Sequence, residues 1–154
     1  MSTELKRASA EQVFMEIVAT VAKRSTCLSR HVGAIIVKDG HILGTGYNGA
    51  PRKVVSCLEK GVCLRLGTES GKKLEYCMAA HAELNSIVQS AYHGIQTEGA
   101  ILYCTFSPCS FCAKAIINAG IKEVVFSEYY TDELGTQLLT EANIKMRKYE
   151  HLEK

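Results

Sequence analysis

The spacing of hydrophobic residues in the first third of the chain changes from a helical period to nearly continuous runs. From residue 10 to about Arg24, apolar side chains recur every three or four positions, which predicts an amphipathic helix. Residues 32–37 form an apolar, β-branched run, Asp39-Gly40 is typical of a hairpin turn, and residues 41–47 are the predicted returning strand. Because the run at 32–37 is apolar throughout, we expect it to be buried on both faces, with helices on either side of the sheet.

The second half of the chain alternates between predicted helices and strands. Helices are predicted from residue 81 to about 93, from 109 to about 120 and over 132–142, and strands over 100–104, 124–126 and 144–148. This alternation is typical of parallel strands covered by helices, with 144–148 as an edge strand. In such sheets, functional sites form at the carboxyl ends of strands, where the helices begin.

The segment from residue 48 to residue 77 is the least regular part of the chain. It is long for a connection in a compact domain, which makes it a candidate functional or metal-stabilised loop. Cys57, Cys63 and Cys77 lie in it or at its end.

Composition limits the class of protein. The 154 residues fit one domain spanning 1–154, with 47% hydrophobic and 22% charged residues. The net charge of +2, without a long basic run, argues against a nucleic-acid partner, and the apolar runs are too short to span a membrane. Residues 1–7 lack an apolar signal core, so we expect a cytoplasmic protein whose seven cysteines are metal ligands or free thiols.

Two short stretches carry the candidate chemistry: His81-Ala82-Glu83 and residues 108–112, Pro-Cys-Ser-Phe-Cys. On a helix, the thiols of Cys109 and Cys112 share one face, and a helix start lowers thiol pKa values. With His81 they make three ligands, which leaves a zinc ion the open position that catalysis requires. A His-x-Glu followed by Pro-Cys-x-x-Cys is the signature of zinc-dependent nucleobase deaminases, in which the glutamate is the general acid and base.

Each stretch alone has ordinary explanations. Cys109 and Cys112 fit a redox pair, half a zinc ribbon or small buried residues, and His81 with Glu83 fits an exposed helix start. A zinc-stabilised interaction module would close the metal site with four ligands and leave Glu83 idle. The two stretches together, each before an amphipathic helix, favour the deaminase.

Residues 24–130 resemble the deoxycytidylate (dCMP) deaminases of the cytidine deaminase superfamily. The resemblance rests on Arg24-Ser25-Thr26-Cys27, on residues 32–37, on Gly46-Tyr47-Asn48-Gly49-Ala50-Pro51, on His81-Ala82-Glu83-Leu84-Asn85, on Ser107-Pro108-Cys109 and on residues 118–122. The Gly-Tyr-Asn-Gly and His-Ala-Glu-Leu-Asn segments together distinguish this family from tRNA adenosine deaminases and from deaminases of free cytidine. The resemblance implies an α/β/α sandwich of three layers with a mixed five-stranded sheet, and a homohexamer.

The resemblance also implies a reaction, the hydrolysis of dCMP to dUMP and ammonia, which supplies dUMP for thymidylate synthesis. Zinc would lower the pKa of its bound water towards ~7, and the resulting hydroxide would attack C4 of cytosine. Glu83 would take the proton of that water, pass it to N3 to make C4 more electrophilic, and later protonate the departing amine. Family members are often activated by dCTP and inhibited by dTTP, and Mg²⁺ would accompany such a triphosphate effector.

By the same resemblance, Asn48 lies against the sugar and base, Ser25 near the nucleotide and Tyr130 on the sugar. Backbone groups around Ala82 and Ser107 would hold the pyrimidine edge. Asn48 is also a common turn residue, and Tyr130 fits a half-buried surface position equally well.

Arg24 is a candidate for the phosphate, because a guanidinium binds phosphate through two parallel hydrogen bonds. A cation at the end of a helix also needs no ligand, so both explanations stay open.

The cysteines outside the first site suggest a second metal. Cys27, Cys57, Cys63 and Cys77 fit a closed structural zinc site that would tie the 48–77 loop to the first helix. Some members of the resembled family carry such a zinc. The alternative is that these four are free surface thiols, whereas Cys104, within a strand, fits a small buried residue.

Overall fold

The computed structural model describes residues 7–150. The expectation that the chain has no export signal concerned residues 1–7, which lie almost wholly outside the described residues. The elements in chain order are α1 (Ala10–Ala22), β1 (Gly33–Lys38), β2 (His41–Tyr47), α2 (Cys57–Lys60), a 3₁₀ turn (Leu74–Tyr76), α3 (Ala82–Tyr92), β3 (Ile101–Phe106), α4 (Ser110–Asn118), β4 (Glu123–Glu128), α5 (Glu133–Glu141) and β5 (Lys145–Lys148). Between residues 7 and 150, no helix has both the length and the apolar character needed to cross a membrane.

The strands form one mixed sheet in the order β2-β1-β3-β4-β5. β1 runs antiparallel to both β2 and β3, while β3, β4 and β5 are parallel. The predicted mixed five-stranded sheet is confirmed, with β5 at its edge.

Helices cover both faces of the sheet, and β1 contributes to both cores. Ile35 and Val37 pack with Met15 of α1 on one face. Ala34 and Ile36 belong to the core on the other face, which also contains buried residues of α3, α4 and α5. The expectation that this strand is buried on both faces is confirmed, and the three layers are α1, the sheet, and α3 with α4 and α5.

Several predicted boundaries differ from the structure by one or two residues. α1 ends at Ala22 rather than at Arg24. The strand predicted over 100–104, with a loop at 105–107, ends too early, because β3 continues through Phe106, which pairs with Glu128 of β4. The hydroxyl of Thr105 also donates to the carbonyl of Gly33, so pairing with neighbouring strands extends β3 almost to the second candidate stretch.

The segment 48–77 is largely irregular, as predicted, but it contains the short helix α2. Ser56 precedes this helix, and its hydroxyl accepts a hydrogen bond from the backbone N–H of Glu59. The Glu59 carboxylate in turn accepts from the backbone N–H of Ser56 at 2.8 Å. This capping box was visible in the sequence as Ser-x-x-Glu, and it sets Cys57 at the first position of α2.

Candidate active site

The first turn of α3, which carries the candidate histidine and glutamate, lies directly against β2. Gly46 makes this approach feasible, since a Cβ there would come within 2.5 Å of the backbone N of Ser86 and closer still to the Ala82 carbonyl. The Asn85 side chain donates to the carbonyl of Tyr47 at 2.8 Å. β2 therefore fixes the position of the α3 start.

The start of α4, which carries the two candidate thiols, is held by α5. Cys109 is the N-cap of α4, but its side chain makes no capping hydrogen bond. Asp132 supplies the cap instead, because one of its carboxylate oxygens accepts from the N–H of Ser110 at 2.8 Å. Its other oxygen accepts from the N–H of Gly135 at 3.0 Å, so Asp132 caps two helices and leaves the Cys109 sulfur free for a ligand. Sequence reasoning placed Asp132 only at the start of its own helix.

The two stretches bring three potential metal ligands together. Cys109 Sγ lies 3.3 Å and Cys112 Sγ lies 3.5 Å from Nδ1 of His81. Within the described chain, these three residues form the one group of three or more candidate ligand atoms that lie within 4.8 Å of one another. One nitrogen and two sulfurs are a zinc donor set, and three protein ligands leave one coordination position open.

The pKa values of these three residues are shifted because their side chains contact one another. The pKa of Cys109 is lowered to about 4, mainly by its hydrogen bond with Cys112. Burial opposes this shift, and the hydrogen bond with His81 adds to it. Hydrogen bonds with Cys109 and Cys77 raise the pKa of His81 to about 10. The hydrogen bond to Cys109, together with burial, raises the pKa of Cys112. A divalent ion must displace the protons on His81 and Cys112, so zinc affinity is expected to fall as the pH falls.

Glu83 is buried beside these ligands. Its side chain is 5% exposed, and Oε2 lies 3.7 Å from Cys112 Sγ. Burial raises the pKa of Glu83, although the positive charge of His81 opposes the shift. A carboxyl group with a raised pKa accepts and returns a proton near neutral pH more readily than an ordinary surface carboxylate.

A cavity of about 440 Å³ opens onto this group, a size typical of small-molecule sites. Of the predicted residues, those that line it are His81, Ala82, Glu83, Cys109, Asn48, Ser107, Tyr130, Cys27, Cys63 and Cys77. Cys112, Cys57, Ser25 and Arg24 are not among the lining residues. Ser25 is buried and its hydroxyl donates to the carbonyl of Asn48 at 2.9 Å, so it supports the cavity wall from behind.

Asn48 holds the segment at residues 30–32 against the cavity. Its Oδ1 accepts from the N–H of Val32 at 2.8 Å, and its Nδ2 donates to the carbonyl of Arg30 at 2.7 Å. The Asn48 side chain therefore does more than form a turn. On the opposite side, the hydroxyl of Ser107 accepts from the N–H of Tyr130 at 2.7 Å.

The four cysteines of the predicted second site share one neighbourhood. Burial is the largest cause of the raised pKa of Cys57, and the nearby thiols of Cys63, Cys27 and Cys77 each raise that pKa further. Among the residues described, however, no three of these four sulfurs lie within 4.8 Å of one another. A hydrogen bond with His81 lowers the pKa of Cys77 to about 7, so Cys77 also contacts a ligand of the first site.

A histidine and two cysteines at two helix starts, with a buried glutamate two residues after the histidine, are typical of zinc-dependent nucleobase deaminases. The family model described as the cytidine and deoxycytidylate deaminase zinc-binding region matches residues 8–128. The chain belongs to this family.

Named relatives agree with this assignment. The deoxycytidylate deaminase of Schizosaccharomyces pombe is 39% identical over 146 residues, which cover 93% of this chain and 45% of the relative. The human deoxycytidylate deaminase is 34% identical over 144 residues, covering 90% of this chain and 78% of the relative. The chain spans about half the length of the two yeast relatives it matches.

A solved structure shares the whole fold. The dCMP deaminase of cyanophage S-TIM5, in complex with dCMP and dUMP, is 30% identical and superposes with a TM-score of 0.76. The match covers 97% of this chain and 99% of the phage chain. The similarity therefore extends over all three layers.

Proposed function

We propose that this protein catalyses the hydrolytic deamination of dCMP to dUMP and ammonia, and so supplies dUMP for thymidylate synthesis. The observation that carries the proposal is the His81, Cys109 and Cys112 group with Glu83 buried beside it, of which His81, Cys109 and Glu83 line one cavity. The named relatives and the phage enzyme that binds dCMP and dUMP support this choice of substrate.

The residues of the chain have separate tasks in this reaction. His81, Cys109 and Cys112 would hold zinc, which supplies a water molecule whose pKa is lowered towards ~7. Glu83 accepts a proton from this water and delivers it to N3 of the cytosine ring; it then takes the proton of the hydroxyl group added at C4 and gives it to the departing amine, so that ammonia leaves and C4 becomes the carbonyl of dUMP. Its burial keeps bulk water away from this transfer. Backbone groups of Ala82 and Ser107, both at the cavity wall, orient the pyrimidine edge.

An ammonia-release assay across several substrates tests the proposal. The zinc-loaded protein should deaminate dCMP with a much higher kcat/KM than cytidine, deoxycytidine or a tRNA anticodon stem. A higher kcat/KM for a free nucleoside or for the RNA would mean that the protein is a deaminase of that substrate, built on the same fold, and not a dCMP deaminase. No ammonia from any of them would favour a zinc-stabilised interaction module.

Replacing Asn48 tests its contact with the nucleoside. In Asn48→Ala, kcat/KM for dCMP should fall by about 10–1000-fold, because a polar contact is lost and residues 30–32 lose their anchor. Steady-state kinetics on the folded variant measures the effect. If Asn48→Ala had the same kcat/KM as the wild type, Asn48 would be only a turn residue without a contact to the nucleoside.

We further propose that Cys27, Cys57, Cys63 and Cys77 bind a second, structural zinc. The electrostatic proximity of the three other thiols to Cys57 supports this, as does the irregular 48–77 segment they would stabilise. Metal analysis of the protein purified without chelator should give about two zinc ions per chain. Cys57→Ser should bind about one and melt at a lower temperature, whereas the matched control Cys104→Ala should keep both. One zinc and four titratable thiols in the wild type would contradict this proposal.

Assembly, regulation and location are proposed on the basis of the same family resemblance. We propose a cytoplasmic homohexamer that dCTP activates and dTTP inhibits, with Mg²⁺ accompanying the triphosphate. Sedimentation gives the oligomeric state, and the dCMP assay repeated with each triphosphate tests the regulation.

A further inference from the structure

Cys109 lies between two hydrogen bonds that join its segment to the chain around β4 and α5. On one side, the backbone N–H of Ser107 donates to the carbonyl of Glu128 at 2.9 Å. On the other side, the N–H of Ser110 donates to Oδ2 of Asp132 at 2.8 Å. The first bond joins two backbone groups, which almost any residue supplies, whereas the second depends on the Asp132 side chain. The position of Cys109 is therefore tied to the identity of residue 132.

The start of α5 also touches the backbone around Cys109. Gly135 is buried, and a Cβ there would lie 2.6 Å from the carbonyl oxygen of Pro108 and 2.9 Å from the carbonyl carbon of Cys109. Oδ1 of Asp132 accepts from the N–H of Gly135 at 3.0 Å. The same carboxylate thus joins the two helix starts at the point where their backbones meet.

A carboxylate suits this position better than a neutral side chain. Each helix start presents unpaired N–H groups and the positive end of a helix dipole, so a negative charge there is stabilising. Asp132 is half-buried, and hydrogen bonds to a charged acceptor are shorter and stronger than those to a neutral one. Without the carboxylate, the N–H groups of Ser110 and Gly135 would lose their acceptor, and the first turn of α4 would be less firmly held.

The spacing of the candidate metal ligands depends on how this turn is held. Nδ1 of His81 lies 3.3 Å from Sγ of Cys109, and the helix that follows His81 is fixed separately, by β2. A metal site binds tightly when surrounding groups hold its ligands in the required geometry, and the loss of such a group weakens metal binding. Asp132 holds the thiolate side of the site, although it belongs neither to the ligand group nor to the residues that line the cavity.

We propose that Asp132 is a positioning residue for the zinc ligand Cys109, and that its carboxylate determines how tightly the site holds the metal. The inference rests on the proposed function in that it requires zinc at His81, Cys109 and Cys112. It goes further by making metal retention depend on a residue 20 or more positions away from both thiols.

Competition with a chelator measures the zinc Kd of the folded protein without relying on turnover. The variants are made in the Cys57→Ser chain, so that zinc bound by the four other cysteines does not contribute. In Asp132→Ala, the zinc Kd should rise by about 10–100-fold, the range expected when a group that orients a metal ligand is lost. Asp132→Asn should give an intermediate Kd, because the amide keeps one acceptor oxygen for the two N–H groups.

The matched control is Ser9→Ala, which removes the cap of α1 on the other face of the sheet. The Ser9 hydroxyl accepts from the N–H of Gln12 at 3.1 Å, so this variant also loses a helix cap and should melt at a lower temperature. Its zinc Kd should nevertheless stay within about twofold of the parent value. Circular dichroism at the temperature of the competition experiment confirms that each variant is folded.

The other outcomes each overturn a specific statement. An unchanged zinc Kd in Asp132→Ala would overturn the inference, and so would an equal rise in Ser9→Ala, which would make the effect a general loss of stability. If Asp132→Ala does not fold, Asp132→Asn decides, since a parental Kd there would overturn the inference and a raised one would support it. Wild-type protein that binds no zinc would overturn both the inference and the proposed function. Wild-type protein that binds zinc but releases no ammonia from dCMP would overturn the proposed function alone.

Discussion

Glu83→Gln is expected to lose nearly all turnover of dCMP while it keeps its fold and its zinc. The amide has almost the same shape as the carboxyl group, but it cannot take up a proton and return it. General acid–base catalysis contributes about 10²–10⁴-fold, so kcat should fall by at least 10²-fold. Because Glu83 is buried and burial raises its pKa, a neutral amide fits the site without a new desolvation cost.

The result is measured as kcat for ammonia release, together with zinc content and melting temperature. Glu133→Gln, an equivalent change at an exposed position in the first turn of α5, serves as the control and should keep wild-type kcat. If purified Glu83→Gln retained even about a tenth of the wild-type kcat, Glu83 would not be the general acid and base.

Gly46→Ala is expected to reduce both stability and activity, although residue 46 is not a predicted catalytic residue. The new methyl group would meet the backbone of Ala82 and Ser86 in α3, and helix backbone cannot move aside as a flexible side chain can. Overpacking of this kind costs about 1–3 kcal/mol, which corresponds to roughly 2–10 °C in melting temperature for a domain of this size. Because the first turn of α3 carries Glu83, its displacement should also reduce kcat.

Thermal denaturation and dCMP kinetics of Gly46→Ala measure these effects. Thr45→Ala, a change on the exposed side of the same strand, is the control and should stay close to wild type. A Gly46→Ala protein with unchanged melting temperature and kcat would mean that α3 can shift away from β2 without consequence for the site.

The parts of the molecule that follow local patterns were predicted well from the sequence. The apolar run at 32–37 identified a strand buried on both faces, and Asp39-Gly40 identified the hairpin. The grouping of His81, Cys109 and Cys112 was predicted from the combination of His-x-Glu with Pro-Cys-x-x-Cys, the signature of zinc-dependent nucleobase deaminases.

The parts that depend on contacts distant in sequence were missed. β3 extends to Phe106 because Phe106 pairs with Glu128 of β4. The sequence of one strand does not show how far its partner strand extends. Asp132 caps α4 across 22 residues of sequence. Arg30 meets Phe106 and Tyr130 only after three separate segments converge. By contrast, the Ser-x-x-Glu signal of α2 was local and could have been found.

Product formation from dCMP as a function of zinc content is the measurement that tests the central claim most directly. The zinc-loaded protein should form dUMP and ammonia in equal amounts, lose this activity when a chelator removes the metal, and regain it when zinc is restored. His81→Ala should not regain it, because one of the three ligands is missing. Absence of dUMP from the loaded wild-type protein, or turnover that continues unchanged after complete removal of zinc, would contradict the account.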